Sequence, residues 1–227
     1  MFKNKEKGLR QELKFVLPAG DHDRALCWIR HSQACFYKEY PDRKINNIYF
    51  DTYGHDAYWE NLSGISSRKK TRYRWYGASP FPVAGAMELK YKRNQFNWKH
   101  TYKIDEIIFN ENASWYSIRC ELISYLPPEL CRHLHENPVP AIVNRYQRCY
   151  FRSRENNIRI TLDNKLCFHK QDRAYPNFTG RVSLLDNIIL EIKFPVHLKS
   201  QVSAIMRDFP FSVSRCSKYC IGVSLVS

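Results

Sequence analysis

Charged and apolar residues alternate one by one in five short stretches of this chain: Glu12-Leu13-Lys14, Arg72-Tyr73-Arg74-Trp75, Glu88-Leu89-Lys90-Tyr91-Lys92, Arg159-Ile160-Thr161-Leu162-Asp163 and Glu191-Ile192-Lys193. Successive side chains of a strand point to opposite faces, so each stretch predicts a strand with one charged and one apolar face. Helical spacing predicts helices at 21–35, with Asp21 or Asp23 as N-cap, at 114–126, ended by Pro127-Pro128, at 129–135, and at 196–209. The last carries Leu198, Val202, Ile205, Met206 and Phe209 on one face and reads as an amphipathic helix packed on the sheet. Residues 77–85 and 170–187 read as loops, the rest as strands. No internal repeat and no low-complexity stretch interrupts the chain.

An antiparallel sheet with its polar face in water produces the same alternation. Two details point to a built face instead. The charged positions are nearly all Arg, Lys or Glu, and Glu stands two residues before Lys three times, at Glu12/Lys14, Glu88/Lys90 and Glu191/Lys193. Alternation alone leaves both readings open. If such faces line a closed barrel, like charges cost several kcal/mol unless a counter-ion fills the space. A polyanion with a divalent cation meets that demand: arginine forks and lysine ammoniums match phosphate oxygens, while Glu and Asp hold Mg²⁺ or Mn²⁺.

Composition narrows the classes. The 227 residues fit one domain, 1–227, and 44% hydrophobic with 15% aromatic residues is too apolar for a disordered chain. The apolar runs fall far short of a membrane span. The charged start, Met1 to Lys7, has no apolar stretch after it, so a cytoplasmic protein is expected. A net charge of +14 implies an anionic partner: nucleic acid, an acidic membrane or a phosphate-rich small molecule. Eight cysteines without C-x-x-C read as reduced, mostly buried thiols, and the eight histidines show no ligand spacing. Phosphate-loop, dinucleotide, zinc-protease and nucleophile-elbow motifs are all missing from the sequence. Aromatics interleave with basic residues at 72–76 and 91–98, a pattern that suits base stacking but more often marks the covered face of a strand, which is the expectation here.

Taken in order, Arg10-x-Glu12-x-Lys14-Phe15, Asn47-Ile48-Tyr49-Phe50-Asp51-Thr52, Arg72-Tyr73-Arg74-Trp75-Tyr76-Gly77, Glu88-Leu89-Lys90, Asn144-Arg145-Tyr146, Arg159 to Asp163, Leu190-Glu191-Ile192-Lys193 and Ser217-Lys218-Tyr219 resemble the VTC domain, a polyphosphate polymerase module among the triphosphate tunnel metalloenzymes. The resemblance covers 10–222. It implies an α+β fold, an eight-stranded antiparallel β-barrel tunnel with flanking helices, in which the γ-phosphate of ATP passes to a growing polyphosphate chain with Mn²⁺ or Mg²⁺. Carried over by position, Lys14, Arg72, Arg74, Lys90, Arg145, Arg159 and Lys218 are the implied phosphate-binding residues, joined by Arg10, Lys92, Lys193, Arg215 and Ser217. Glu191 is the implied metal-binding carboxylate, with Glu12, Glu88 and Asp163 as further candidates. The alternatives are a tripolyphosphatase or nucleoside triphosphatase on the same scaffold, or a non-catalytic module binding polyphosphate or inositol phosphates. Nucleic acid is not an expected partner. With no regulatory domain of the SPX type and no membrane segment in the chain, coupling to translocation is expected to need a membrane partner protein.

Overall fold

The alternating stretches are strands whose antiparallel register sets charge beside charge on one face and apolar beside apolar on the other. In the computed structural model, residues 10–94, 96–107, 112–155, 157–180 and 183–226 are described; the charged start of the chain lies outside them. Their strands are β1 (Arg10–Pro18), β2 (Tyr37–Asp51), β3 (Ser67–Tyr76), β4 (Gly85–Arg93), β5 (Phe96–Ile104), β6 (Val139–Arg152), β7 (Arg159–Lys170), β8 (Ser183–Leu185) and β9 (Asn187–Pro195). They pair in the order β1-β9-β7-β6-β2-β3-β4-β5, with β8 on β7. The expected α+β fold, an antiparallel sheet of eight main strands with flanking helices, is the fold adopted. Among the described residues the hydrogen-bonded path ends at β1 and β5.

Contacts group the chain into two compact units. The first comprises residues up to Asp42, Gln147–Lys165 and Asp186–Cys216; the second comprises Arg43–Tyr146, Leu166–Leu185 and residues from Ser217 on.

In the first unit, Phe15 of β1, Leu190 of β9 and Leu162 of β7 form one cross-strand row, and Leu13, Ile192 and Ile160 the next. Helix α1 (His22–His31) covers this face with Ala25 and Ile29, and α5 (Lys199–Ile205) with Val202. Phe209 wedges edge-on against Phe15 and Trp28, with centroids 4.7 and 4.6 Å away. The predicted helix 196–209 is therefore an apolar cover, as read, though it starts as a 3-10 turn at Val196–Leu198 and its α part stops at Ile205. Helix α1 ends earlier than its predicted limit because Ser32 is extended and Cys35 takes φ 48°. The edge of β1 is covered by the chain near Ser214, whose N–H donates to the Lys14 carbonyl at 2.8 Å.

The second unit has its own core, where Ile48, Tyr73, Met87 and Leu89 of β2, β3 and β4 meet α3 (Trp115–Tyr125) and α4 (Pro128–Glu136). Ser114 caps α3 by accepting from the Ser117 N–H at 3.2 Å, so this predicted helix starts where its sequence signal stood.

Two helices here carried no amphipathic signal. Helix α2 (Asp56–Leu62) is fixed by local capping: Asp51 Oδ1 accepts from the N–H groups of Thr52 and Ala57 at 2.8 and 3.0 Å. Helix α6 (Lys218–Val226) is apolar on most sides and buries Tyr219, Cys220, Gly222 and Val223, as an enclosed helix must. The cysteines are free thiols, but only Cys149 and Cys220 are buried, while Cys27, Cys35 and Cys120 are exposed. No helix among the described residues is long and apolar enough to cross a membrane.

Glycine is required at one packing point: a Cβ on Gly222 would lie inside contact distance of the Phe168 ring and the Ile142 side chain. Gly222→Ala should therefore lose about 2 kcal/mol to overpacking despite its better helix propensity, and lower the thermal midpoint by roughly 4 to 8 °C. An unchanged or raised midpoint in calorimetry would show that α6 has room to spare.

Candidate functional site

In the second unit the charged face is built in rows. Tyr49, Arg72, Glu88 and Thr101 lie across β2, β3, β4 and β5, and Asn47, Arg74, Ala86 and Lys103 form the neighbouring row. Arg72 Nε donates to Glu88 Oε2 at 2.6 Å, its Nη2 pairs with the same oxygen, and its Nη1 donates to the Tyr49 hydroxyl at 3.1 Å. Arg74 Nε donates to Asn47 Oδ1 at 2.8 Å and its Nη2 to the Tyr146 hydroxyl at 3.0 Å. Asn47 in turn donates to Asn144 Oδ1 at 2.8 Å. The second oxygen of Glu88 accepts from Lys99 at 2.6 Å. Arg72, Arg74, Glu88 and Lys218 are each no more than 8% exposed, so these charges sit largely outside bulk water.

Lys218 stands 5.0 Å above the centroid of the Tyr146 ring, a cation–π arrangement. Lys70, on the same strand parity as Arg72, donates to the Ser217 hydroxyl at 2.8 Å. Lys90 lies opposite Lys70 and Lys99 in the next row out. Burial by itself would raise the Glu88 pKa, but Arg72, Arg74 and Lys99 outweigh it and hold the carboxyl well below the usual carboxylate range. For Arg72 burial works against the charge, and Tyr49 and Glu88 more than restore it.

The first unit carries a second charged face. Glu12, Lys193 and Arg159 form one row; Lys14, Glu191 and Thr161 form the next. Lys14 Nζ is 2.9 Å from Glu12 and 3.7 Å from Glu191, while Lys193 Nζ is 2.9 Å from Glu191 and 4.0 Å from Glu12. Lys14 also donates to the Cys216 carbonyl at 3.2 Å. Burial alone would lower the Lys14 pKa; Glu191 and Glu12 outweigh it and keep the pKa above the ordinary lysine value. Arg10, Arg159 and Arg215 are exposed.

Three residues read from sequence as site candidates are placed otherwise. Arg145 has the strand parity of the core residue Val143, and its Nη2 donates to the Pro80 carbonyl at 2.6 Å; its neighbours Asn144 and Tyr146 take the charged face. Glu88 is the buried counter-ion of Arg72 and Lys99. Asp163 is fully buried and grips Arg148 through both oxygens, at 2.5 and 2.6 Å. Neither carboxylate has the open oxygens that a metal ligand needs. Conversely, Lys70, Lys99, Arg148, Asn47, Tyr49 and Tyr146 escaped the sequence reading as site residues, although Lys70 and Arg148 lie at two-residue parity with Arg72 and Tyr146.

Among the described residues no three His, Cys, Asp or Glu side chains cluster as a metal cage. A phosphate-bound Mg²⁺ needs only one or two carboxylates, because the substrate supplies further oxygens. Glu191 and Glu12, which share Lys14 and Lys193, fit that lesser demand.

A family model described as the VTC domain matches residues 9–227. The chain belongs to the VTC domain family. VTC domains are triphosphate tunnel proteins, a group that generally uses divalent metals. Comparison with solved structures gives similarity to two further chains. One, from Vibrio parahaemolyticus and described provisionally as an adenylate cyclase, is 12% identical, with 92% of this chain and 95% of that chain covered and a TM-score of 0.49. The other, the PH1819 protein of Pyrococcus horikoshii OT3, is 13% identical, with 92% and 97% covered and a TM-score of 0.49. Comparison with curated proteins gives no significant match.

Two measurements follow. Glu88→Gln leaves the buried Arg72 without its counter-charge and should cost about 3 to 5 kcal/mol in urea unfolding; a loss below 1 kcal/mol would mean that the neutral partners suffice. His169, buried beside the misplaced Arg145, is driven by burial and then by that arginine to a pKa of about 4, against 6.5 for the free side chain. The unfolded chain therefore binds its proton first. His169 contributes full stability above pH 6.5, and this is lost as pH falls toward 4, by up to about 3 kcal/mol. His169→Gln should flatten this slope, and an unaltered slope would show that other groups cause it.

Proposed function

We propose that this VTC domain is a metal-dependent polyphosphate polymerase that transfers the γ-phosphate of ATP to a growing polyphosphate chain. The observation that carries the reading is the group of buried cations in the second unit, Arg72 and Arg74 of β3 with Lys218 of α6, gathered beside the buried Glu88, with Lys70 partly buried and Lys90 and Lys99 exposed nearby. Buried cations favour an anionic guest that can share their charge. Phosphates are such guests, and arginine forks match their oxygens in pairs.

Phosphoryl transfer asks a protein mostly to position phosphates and to neutralise charge on the moving group. Arg72 and Arg74 are aimed in advance by Glu88, Asn47, Tyr49 and Tyr146, so little reorganisation is left for the reaction. The terminal phosphate oxygen of the acceptor chain attacks the γ-phosphorus, a new P–O bond forms, the bond to the β-phosphate oxygen breaks, and ADP leaves with the electron pair. Lys14 and Lys193, and the exposed Arg10, Arg159 and Arg215, offer further phosphate contacts on the first unit. Glu191 and Glu12 would hold Mn²⁺ or Mg²⁺, which when bound would supply charge neutralisation at phosphate oxygens. No covalent enzyme intermediate is required.

Incubation of purified protein with ATP and Mn²⁺ or Mg²⁺, followed by phosphorus NMR, should show ADP and the resonance of chain-interior phosphates. Orthophosphate without chain growth would establish a hydrolase in place of a polymerase, and no turnover with either metal would overturn the enzyme reading. Glu191→Gln should lower turnover at least a hundredfold while polyphosphate binding changes little.

A further inference from the structure

Lys218, the first residue of α6, brings the one helix-borne cation to the buried group of the second unit. The first N–H groups of a helix have no partners within it, and a helix of nine residues has little stability of its own. The place of Lys218 therefore depends on how the start of α6 is tied to the strands.

Those ties converge on the next residue. Tyr219 is buried, and its hydroxyl donates to Oδ2 of Asp51, the last residue of β2. The other oxygen of the fully buried Asp51 already accepts from the N–H groups of Thr52 and Ala57, so one carboxylate anchors the start of α2 and the start of α6 together. Burial first, and Asp51 second, hold the Tyr219 hydroxyl above the ordinary tyrosine range, which keeps it a donor at neutral pH. The Tyr219 ring packs against Tyr49 with centroids 5.2 Å apart, and the Tyr49 hydroxyl accepts from Arg72. Two lesser ties flank it: Ser217 Oγ accepts from Lys70 at 2.8 Å, and Cys220 Sγ donates to Asn61 Oδ1 of α2 at 3.0 Å. Through Tyr219, then, the lysine that stands over the Tyr146 ring is referred to the arginine that Tyr49 orients.

We infer that Asp51 and Tyr219 are a positioning pair that acts through Lys218: by fixing the first turn of α6 they hold its ammonium and the Arg72 guanidinium in the mutual arrangement that phosphate binding uses. The inference rests on the phosphate reading above. Neither member of the pair touches phosphate in this assignment. Displacements of about 1 Å at a site of this kind are enough to cost large factors in rate, and without the Tyr219 hydroxyl the start of α6 keeps only the ring contact with Tyr49 and the two flanking ties.

The test is a double-mutant cycle on the binding of inorganic tripolyphosphate, measured by titration calorimetry at a temperature where circular dichroism shows each variant folded. Lys218→Met should weaken binding at least about tenfold, as the loss of a charged contact does. Tyr219→Phe removes only the hydroxyl; it should weaken binding about fivefold in the wild-type background and less than about twofold in the Lys218→Met background, where nothing is left to position. Asp51→Asn keeps an oxygen for the N–H groups of Thr52 and Ala57 but sets an amide against the Tyr219 hydroxyl; it should show a smaller loss, about threefold, again confined to the background that retains Lys218. This second variant decides the matter alone if Tyr219→Phe does not fold. A general loss of stability would lower the thermal midpoint without such coupling. Either variant binding tripolyphosphate as wild type does, or losing as much without Lys218 as with it, overturns the inference while the proposed function stands. If Lys218→Met itself binds as wild type does, Lys218 is no phosphate contact and the inference falls with it. If wild type binds no tripolyphosphate, the phosphate reading itself fails.

Discussion

Strand alternation in a fixed antiparallel register governs the rest of this molecule. Because side chains change face at every residue, the pairing that stacks Phe15, Leu190 and Leu162 into a core row necessarily sets Lys14, Glu191 and Thr161 beside one another on the opposite face. The same holds where Ile48, Tyr73 and Met87 meet, since one step away lie Tyr49, Arg72 and Glu88. A slip of one residue would exchange the two faces, bringing arginine to the core and tyrosine to the charged side. The apolar packing therefore fixes the positions of the charges, and the precision of the candidate site derives from the cores behind it.

Placing charges out of water is costly, and the fold answers in two different ways. Arg148 and Asp163 neutralise each other through two parallel hydrogen bonds, which leaves a closed structural pair. Arg74 is treated differently: it donates to an amide oxygen of Asn47 and to the hydroxyl of Tyr146, while Glu88 Oε2 stands farther off, 3.9 Å from its Nη1. Those neutral oxygens satisfy the geometry of the guanidinium without cancelling its charge. Neutral orientation thus leaves Arg74 more of its charge than the paired Arg148 keeps.

Most of the architecture was legible because alternation is a local property. The five alternating stretches are strands, and the helices at 114–126 and 129–135 appear close to their expected limits. What escaped were features set by partners distant in sequence. Glu88 and Asp163 look like metal carboxylates until Arg72 and Arg148 are found beside them, sixteen and fifteen residues away. Arg145 drew attention as the charged member of Asn144-Arg145-Tyr146, yet parity assigns the charged face to its two neighbours. Lys70 and Arg148 satisfied the parity rule but stand outside the Glu-x-Lys pattern, since the residues two before them are Arg68 and Tyr146. Helix α6 was hidden for the opposite reason, since a segment enclosed on most sides has no stripe to recognise.

The two charged faces also differ in how firmly their carboxylates are committed. Glu88 is gripped at short range by Arg72 and Lys99 and is nearly sealed from water, so releasing it would strand a buried arginine. Glu12 and Glu191 instead divide Lys14 and Lys193 between them, each lysine holding one carboxylate at 2.9 Å and the other at 3.7 or 4.0 Å. In such a square each ion keeps a second partner when one contact opens. Either lysine can turn away from one carboxylate while both carboxylates remain compensated, at a Coulomb cost of a few kcal/mol at most in a partly solvated setting. A firmly held ion cluster on one face and a shared one on the other are thus built from the same three residue types, distinguished by burial and by the number of partners each charge retains.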